Sequence, residues 1–417
     1  MRIPPARGPL PRWPWLLLTA MAMMVSGLQT AFSNESTGLL GKARTQAKSA
    51  NNKAGTALAS APGQAGASTW VFIVSVLEWR DSKSYVSFPK ENRRDALLVK
   101  FFRQKKGVPD DHILWFKDSD AALDKIRGRF SGLIKRAKPG DTLFFYYAGH
   151  GSLKAPGIAY LIPYDAKGGD AVPKTAWAMP DVIKAIAAEF KGAVAFVTAD
   201  CCYSGALCDA ARIQGGKVSF ACLTSAQSGT PSTGGWTFSD TLLRGLTGSS
   251  RVDMNNDKQI LFHELALYIE QEMSFEGQLS AYGATGEFDP RTKIADVSYQ
   301  DSPAPPKVTV RWRDGKTYRA AVLGDCRTSD GKPGKKVDYI GWSDSSNECV
   351  AADTVGPYRP EPQKWALNSS VFVQSDEKWY ASTVLDYKLG LYQVRYDGWA
   401  PYWTEWVAPD RVKDTKP

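Results

Sequence analysis

The apolar positions of the chain fall into two textures. From Trp70 to Leu223, short unbroken apolar runs alternate with stretches whose apolar residues recur at helical spacing. WVFIVSVL (Trp70–Leu77), HILWF (His112–Phe116), TLFFYYA (Thr142–Ala148) and AVAFVTA (Ala193–Ala199) read as strands buried on both faces, with Val218–Leu223 a fifth. Arg93–Lys106, Ala121–Ala137, Met179–Phe190 and Phe262–Met273 read as helices, and PGD (Pro139–Asp141) as a turn. Strands alternating with helices predict an α/β fold, a mostly parallel sheet covered by helices on both faces. That domain spans residues 69–300. SPAPPK then supplies a proline-rich linker, 301–307. Beyond it come short alternating strands, many aromatics and an internal repeat. DGKTYRAAVL (Asp314–Leu323) matches DEKWYASTVL (Asp376–Leu385), and YIGWSDSSNECVAADTV (Tyr339–Val355) matches YDGWAPYWTEWVAPDRV (Tyr396–Val412). Repeats of about 50 residues suggest two small all-β barrels, 308–357 and 364–413.

The N-terminus has a different character. Arg2, Arg7 and Arg12 precede a charge-free apolar run, Trp13–Leu28, and the small residues Ala31 and Ser33 come next. This predicts a secretory signal over residues 1–33 and a secreted, periplasmic or cell-envelope destination. The run falls short of a membrane span of about 20 residues, and no later segment would span once the signal is removed. Residues 34–68, rich in Ala, Ser, Gly, Gln, Asn and Lys, cannot bury a core and read as a flexible spacer.

With 417 residues, 43% of them hydrophobic, the chain can bury a sizeable core. The formal charge of +9 comes from scattered basic residues, which favours general solubility over nucleic-acid binding. Six cysteines do not make a disulfide scaffold. Cys326 and Cys349 lie alone in one small segment and are the expected bridge, which export permits.

The candidate chemistry lies at two strand ends. There are three histidines. His150 stands in YYAGHGS after the third strand, whereas His112 and His263 have no catalytic pattern nearby. Cys202 stands in ADCCYSG after the fourth strand. Chemistry in a parallel sheet gathers beyond the carboxyl ends of its strands, so adjacent strands would present both residues on one rim. A thiol needs a base to become a nucleophile, and an imidazole can also protonate a leaving amine. The N–H groups of Gly151 and Cys202 could hold a developing oxyanion.

FFYYAGHGS resembles the histidine motif of caspases and metacaspases, and ADCCYSG their Asp-x-Cys-x-x-Gly motif. The separation fits their spacing of about 50 residues. PGD before the strand, YLIPYDA (Tyr160–Ala166) and LTSA (Leu223–Ala226) extend the resemblance over Thr69–Tyr299. It implies a cysteine endopeptidase with His150 as general base and acid and Cys202 as nucleophile. No cofactor or catalytic metal is implied; the partner is a protein or peptide substrate. Metacaspases usually have His where Tyr203 stands, and the caspase signature Gln-Ala-Cys-x-Gly is absent, which puts the chain among bacterial-type relatives. By the same resemblance Asp200 and Asp95 line a substrate-binding pocket for Arg or Lys. A turn cap would also place an acid at Asp200, and a helix N-terminal charge accounts for Asp95 equally well. CDAARIQGGK (Cys208–Lys217) reads as a polar loop, with Arg212 and Lys217 as candidate self-cleavage points.

Two further segments leave their readings open. DMNNDKQILFHE (Asp253–Glu264) has the acid spacing of a calcium loop, but Lys258 stands where Gly is normally needed, and a turn capping the next helix explains it as well. The C-terminal repeats resemble Tudor-knot, chromo-barrel or agenet modules. In the second, Trp379, Tyr380, Tyr396, Trp399, Trp403 and Trp406 could form an aromatic cage for a methylated ammonium. In the first, Cys349 replaces Trp406 and Ser346 replaces Trp403, so no cage is expected. The ligand is not specified by these residues. The rival reading is an inert caspase-like scaffold whose barrels bind a protein or polymer.

Overall fold

The computed structural model describes residues 67–417 except Asn92, Thr233, Gly341, 343–345 and Asp376. The expected leader (1–33) lies outside the described residues, as does the expected spacer up to residue 66. In chain order the strands of the first domain are β1 (Thr69–Ser75), β2 (Ile113–Lys117), β3 (Thr142–Ala148), β4 (Gly151–Lys154), β5 (Ile158–Leu161), β6 (Trp177–Ala178), β7 (Val194–Asp200), β8 (Ser219–Thr224), β9 (Gln259–Leu261), β10 (Ala281–Ala284) and β11 (Lys293–Asp296). Six of them form one sheet in the order β10-β8-β7-β3-β1-β2. All neighbours in it run parallel except β10, which runs antiparallel to β8. Such strands are apolar at nearly every position because both faces are covered. One face carries the helices Leu123–Ile134, Met179–Glu189 and Gly205–Gln214; the other carries Arg94–Lys100, Thr237–Thr247 and Phe262–Phe275.

The first face is built around aromatic contact. Phe72 of β1 lies 4.7 Å from Phe130 and 5.9 Å from Phe145, and Trp177 closes the group 5.5 Å from Phe130. Each such pair contributes about 0.5–1.5 kcal/mol beyond the area it buries. At the strands' N-terminal ends the buried carboxylate of Asp141, from the Pro-Gly-Asp turn, accepts N–H groups of Ser68 (2.7 Å), Trp70 (Nε1, 2.8 Å) and Lys138 (2.8 Å). It ties the N-terminal ends of β1 and β3 together.

The C-terminal repeats form two five-stranded antiparallel sheets of identical strand order. The first comprises β12 (Lys307–Arg311), β13 (Thr317–Arg327), β14 (Pro333–Tyr339), β15 (Glu348–Ala351) and β16 (Val355–Pro357). The second comprises β17 (Ser370–Ser375), β18 (Lys378–Lys388), β19 (Leu391–Tyr396), β20 (Glu405–Val407) and β21 (Val412–Lys413). The long strand of each bulges at the matching place, between Val322 and Gly324 and between Val384 and Asp386. Neither closes into the expected barrel: among the described residues, each ends on two edge strands with no pairing between them.

Both sheets dock on the first domain, and the described residues, 67–417, belong to one compact unit. Lys307 pairs with Glu272 at 3.0 Å, Lys388 with Glu270 at 2.7 Å, and Tyr358 packs edge-on against Phe275 at 4.8 Å. Leu279 of the first domain packs with Leu391 and Trp406 of the second sheet.

Two disulfides join described residues. Cys326–Cys349 is the expected one, linking β13 to β15. Cys208–Cys222 was not expected; it ties the helix Gly205–Gln214 to β8. The stretch expected to be a polar loop is therefore mostly helix, because Leu207, Cys208 and Ala211 bury one face of it. Arg212 lies in its last turn, paired with Asp209 at 2.7 Å, and Lys217 lies in the exposed turn after it. Limited trypsin digestion is expected to cut after Lys217 before Arg212. The products of that cut should run as one species until the disulfide is reduced; their separation without reductant would contradict the bridge.

Candidate active site

β3 and β7 pair in register, with Ala148 opposite Asp200. His150 and Cys202 each lie two residues beyond that pair, so they stand level on one rim, on strands about 4.8 Å apart. The backbones beyond the two strand ends are pressed together. A Cβ on Gly151 would lie 2.0 Å from the carbonyl oxygen of Cys202, so no side chain fits at 151. The turn after β7 is held under strain: Tyr203 has φ +61°, a left-handed conformation that a bulky residue rarely adopts.

The imidazole of His150 packs among Trp79 (4.3 Å), Phe88 (4.6 Å) and Tyr85 (5.7 Å). Its Nε2 lies 2.8 Å from the carbonyl oxygen of Val86. A carbonyl only accepts, so Nε2 carries the proton and Nδ1 the free lone pair. Burial lowers the pKa of His150, against the Val86 bond, which raises it. The imidazole therefore stays neutral, and able to act as a base, to lower pH than an exposed histidine.

The Cys202 sulfur receives the N–H of Ser232 at 3.2 Å. Burial pushes its pKa up, and the N–H groups of Ser232, Cys202 itself and Gly151 act against that rise. The resting pair is thus a neutral thiol and a neutral imidazole. The chemistry this suits is proton transfer at the moment of attack, rather than a standing thiolate. The N–H groups of Gly151 and Cys202 act on the same sulfur, so an oxygen bonded to a carbon on that sulfur would fall within their reach. Cys201, by contrast, is buried and its pKa is raised far by that burial, which makes it inert.

The two acids expected in the pocket differ. Asp200 is buried, accepts the hydroxyl of Ser239 at 2.6 Å, and its pKa is pushed up to about 6 by burial, against hydrogen bonds from Ser239 and Ser225. Ser239 in turn contacts the Tyr146 hydroxyl at 2.7 Å. No cation among the described residues pairs with Asp200 in this network. Asp95 is already answered: Arg93 Nε lies 3.2 Å from it, and Trp115 Nε1 donates to it at 2.8 Å. Arg93 also holds Asp118 at 2.7 Å and the Ser75 carbonyl at 2.8 Å. The Asp95 carboxylate, 0% exposed, is thus engaged within the fold by Arg93 and Trp115. Asp240 nearby is paired with Arg94.

In Asp253–Glu264, the expected calcium loop or capping turn, the carboxylates cap backbone N–H groups. Asp253 accepts from Asp257 and Lys258, and Glu264 from Met254 and Leu261. Lys258 does adopt a positive φ, +70°, at the position where a calcium loop needs Gly. His112 lies at the far end of the sheet, stacked on Trp70 at 3.7 Å. In the second C-terminal sheet Tyr380, Tyr396, Trp399 and Trp403 form a chain of contacts at 5.6–6.4 Å. Trp406 is not in it; it faces Leu279. The carboxylate within reach, Glu405, is cancelled by Arg411 at 3.0 Å. The first sheet, expected to lack such a cluster, has one. Trp312, Tyr318, Tyr339 and Trp342 meet at 5.6–6.4 Å. Glu348 accepts from Trp312 Nε1 at 2.7 Å and Tyr339 at 3.0 Å. Trp312 supplies the wall that Trp403 supplies in the second sheet, from a different repeat position.

No family model matches the chain, and no curated protein matches it significantly. Among solved structures, it is similar to a structural-genomics target from Geobacter sulfurreducens, at a TM-score of 0.40 and 15% identity, over 55% of this chain and 100% of that one. So distant a likeness decides neither family nor activity.

Sequence reasoning missed Val86, Ser232 and Ser239. The first two act through backbone groups, which leave no mark on residue identity; Ser239 meets Asp200 only through the fold. Iodoacetamide on the unreduced chain is expected to label Cys202 alone, as four cysteines are bridged and Cys201 is buried. Label on Cys201 would show that the strained turn opens in solution.

Proposed function

We propose that the chain is an exported, caspase-like cysteine endopeptidase that cleaves after Arg or Lys. The observation that carries it is the level placement of His150 and Cys202 beyond β3 and β7, with Gly151 pressed against the Cys202 backbone. In the reaction, Nδ1 of His150 takes the thiol proton as sulfur attacks the peptide carbonyl. The N–H groups of Gly151 and Cys202 hold the resulting oxyanion. His150 then returns the proton to the departing amine, and water releases the acyl group from sulfur.

Selection of a basic residue rests on Asp200. Its carboxylate is held in a dry place without a countercharge among the described residues, so an arriving Arg or Lys would supply the missing partner. A charge-assisted contact is worth about 1.5–3 kcal/mol, roughly a ten- to hundredfold preference. Two disulfides suit a chain that folds in an oxidising compartment. Among the described residues no helix is long and apolar enough to cross a membrane.

A ligand-binding role for the C-terminal sheets rests on a separate observation. Trp342 is 48% exposed at the rim of the first sheet's ring cluster, with Glu348 beneath. It stands whether or not the first domain is active.

Full-length protein is expected to cleave fluorogenic peptides ending in Arg or Lys, and Cys202→Ala to abolish this. Preference for peptides ending in Asp would reject the specificity. The ratio of kcat/KM for an Arg peptide over a neutral one cancels His150, which serves both. Asp200 loses its charge as pH falls through about 6, so the ratio should fall there. Asp200→Asn should flatten the ratio at its low-pH value.

A further inference from the structure

The second C-terminal sheet touches the loops beside the candidate active site. Its segment Tyr402–Trp406 touches the elements that come after both candidate catalytic residues. The Tyr402 ring lies where a Cβ on Gly157 would be, 2.9 Å away, in the turn of the β4–β5 hairpin next to His150 in the chain. The Thr404 carbonyl oxygen lies 1.8 Å from where a Cβ on Gly229 would be, in the loop that receives the Cys202 turn. Next in that loop is Thr230, 3% exposed. Its hydroxyl oxygen accepts the N–H of Trp406 in β20 at 3.1 Å. Its carbonyl oxygen accepts the N–H of Tyr203 at 2.9 Å, the strained residue beside the nucleophile. Two residues further, Ser232 places its N–H on the Cys202 sulfur.

We infer that Thr230 is a positioning residue, and that through it the second C-terminal sheet holds the Cys202 thiol and its turn in working geometry. This deepens the reading of Cys202 as the nucleophile and rests on it. A left-handed Tyr203 persists only where its surroundings over-determine it. One of those surroundings is Thr230, whose other hydrogen bond belongs to a different module. Gly229 has no room for a side chain because that module sits directly on it. The sheet is therefore part of the site rather than an appendage to it.

The test reads the thiol directly, so it does not depend on peptide turnover. In the full chain, the rate of Cys202 alkylation by iodoacetamide is measured against pH. Thr230→Val removes the hydroxyl at nearly constant volume, and Gly229→Ala wedges the interface without touching Thr230. Both are expected to move the alkylation midpoint upward by roughly one pH unit, because the thiolate loses its Ser232 donor. Thr230→Ser, which keeps the acceptor, should restore the native profile. An unchanged midpoint in both disruptive variants would overturn the inference. So would equal shifts in Thr230→Ser and Thr230→Val, which would reduce Thr230 to packing. Faster alkylation at an unchanged midpoint would make the sheet a mere cover, again overturning it. If the native chain cleaved no peptide, the profile would still decide the role of Thr230.

Discussion

Two parallel strands end level with one another, and the gap between Gly151 and Cys202 just beyond them is too narrow for one methyl group. Much in this molecule depends on that narrowness. It brings a histidine and a cysteine from distant parts of the chain to one height. It forces glycine at 151, which leaves an N–H facing the sulfur. It also requires the chain to turn sharply after Cys202, and Tyr203 adopts a left-handed backbone to do so. A turn of that kind must be held from outside. Its holders come from the loop Ala226–Ser232 and, one step further, from another module.

Burial then acts on three titratable groups with three different results. It lowers the basicity of His150, raises the thiol of Cys202 and raises the carboxyl of Asp200. In each case the neutral form gains. The thiol and imidazole stay neutral at rest, whereas Asp200, pushed up to about 6, is ionised at neutral pH; each awaits something that arrives. For the thiol, that something is an electrophilic carbonyl beside a free imidazole lone pair. For Asp200, it is a cation. Asp95 shows the contrast: it is buried with Arg93 already beside it.

The parallel sheet was legible because strands buried on both faces must be apolar throughout, whatever their partners. The observed strands begin and end within two residues of the runs in the sequence. The helix Gly205–Gln214 was not legible. Its buried face is mostly small residues, and CDAARIQGGK reads as a polar loop until the Cys208–Cys222 bridge and the packing of Leu207 are seen. The pair His150 and Cys202 could be placed on one rim from topology alone. Their supports could not, since Val86 and Ser232 act through the main chain. Asp95 was placed by resemblance, and its partner Arg93 was only two positions away. The aromatics of the repeats were read by composition, which cannot separate a docking residue from an open one. Trp406 proved to be the first and Trp342 the second.

The repeat makes that last difference instructive. Positions 349 and 406 are equivalent in the two units and lie on the equivalent strands β15 and β20. At one stands a cysteine that stitches its sheet to itself; at the other, a tryptophan that stitches its sheet to a neighbour. A duplicated module has two copies on which selection can act separately. Here both copies dock on the first domain, but at this one position the first copy bridges to itself while the second packs a tryptophan against that domain. The two units share a blueprint but are no longer interchangeable parts.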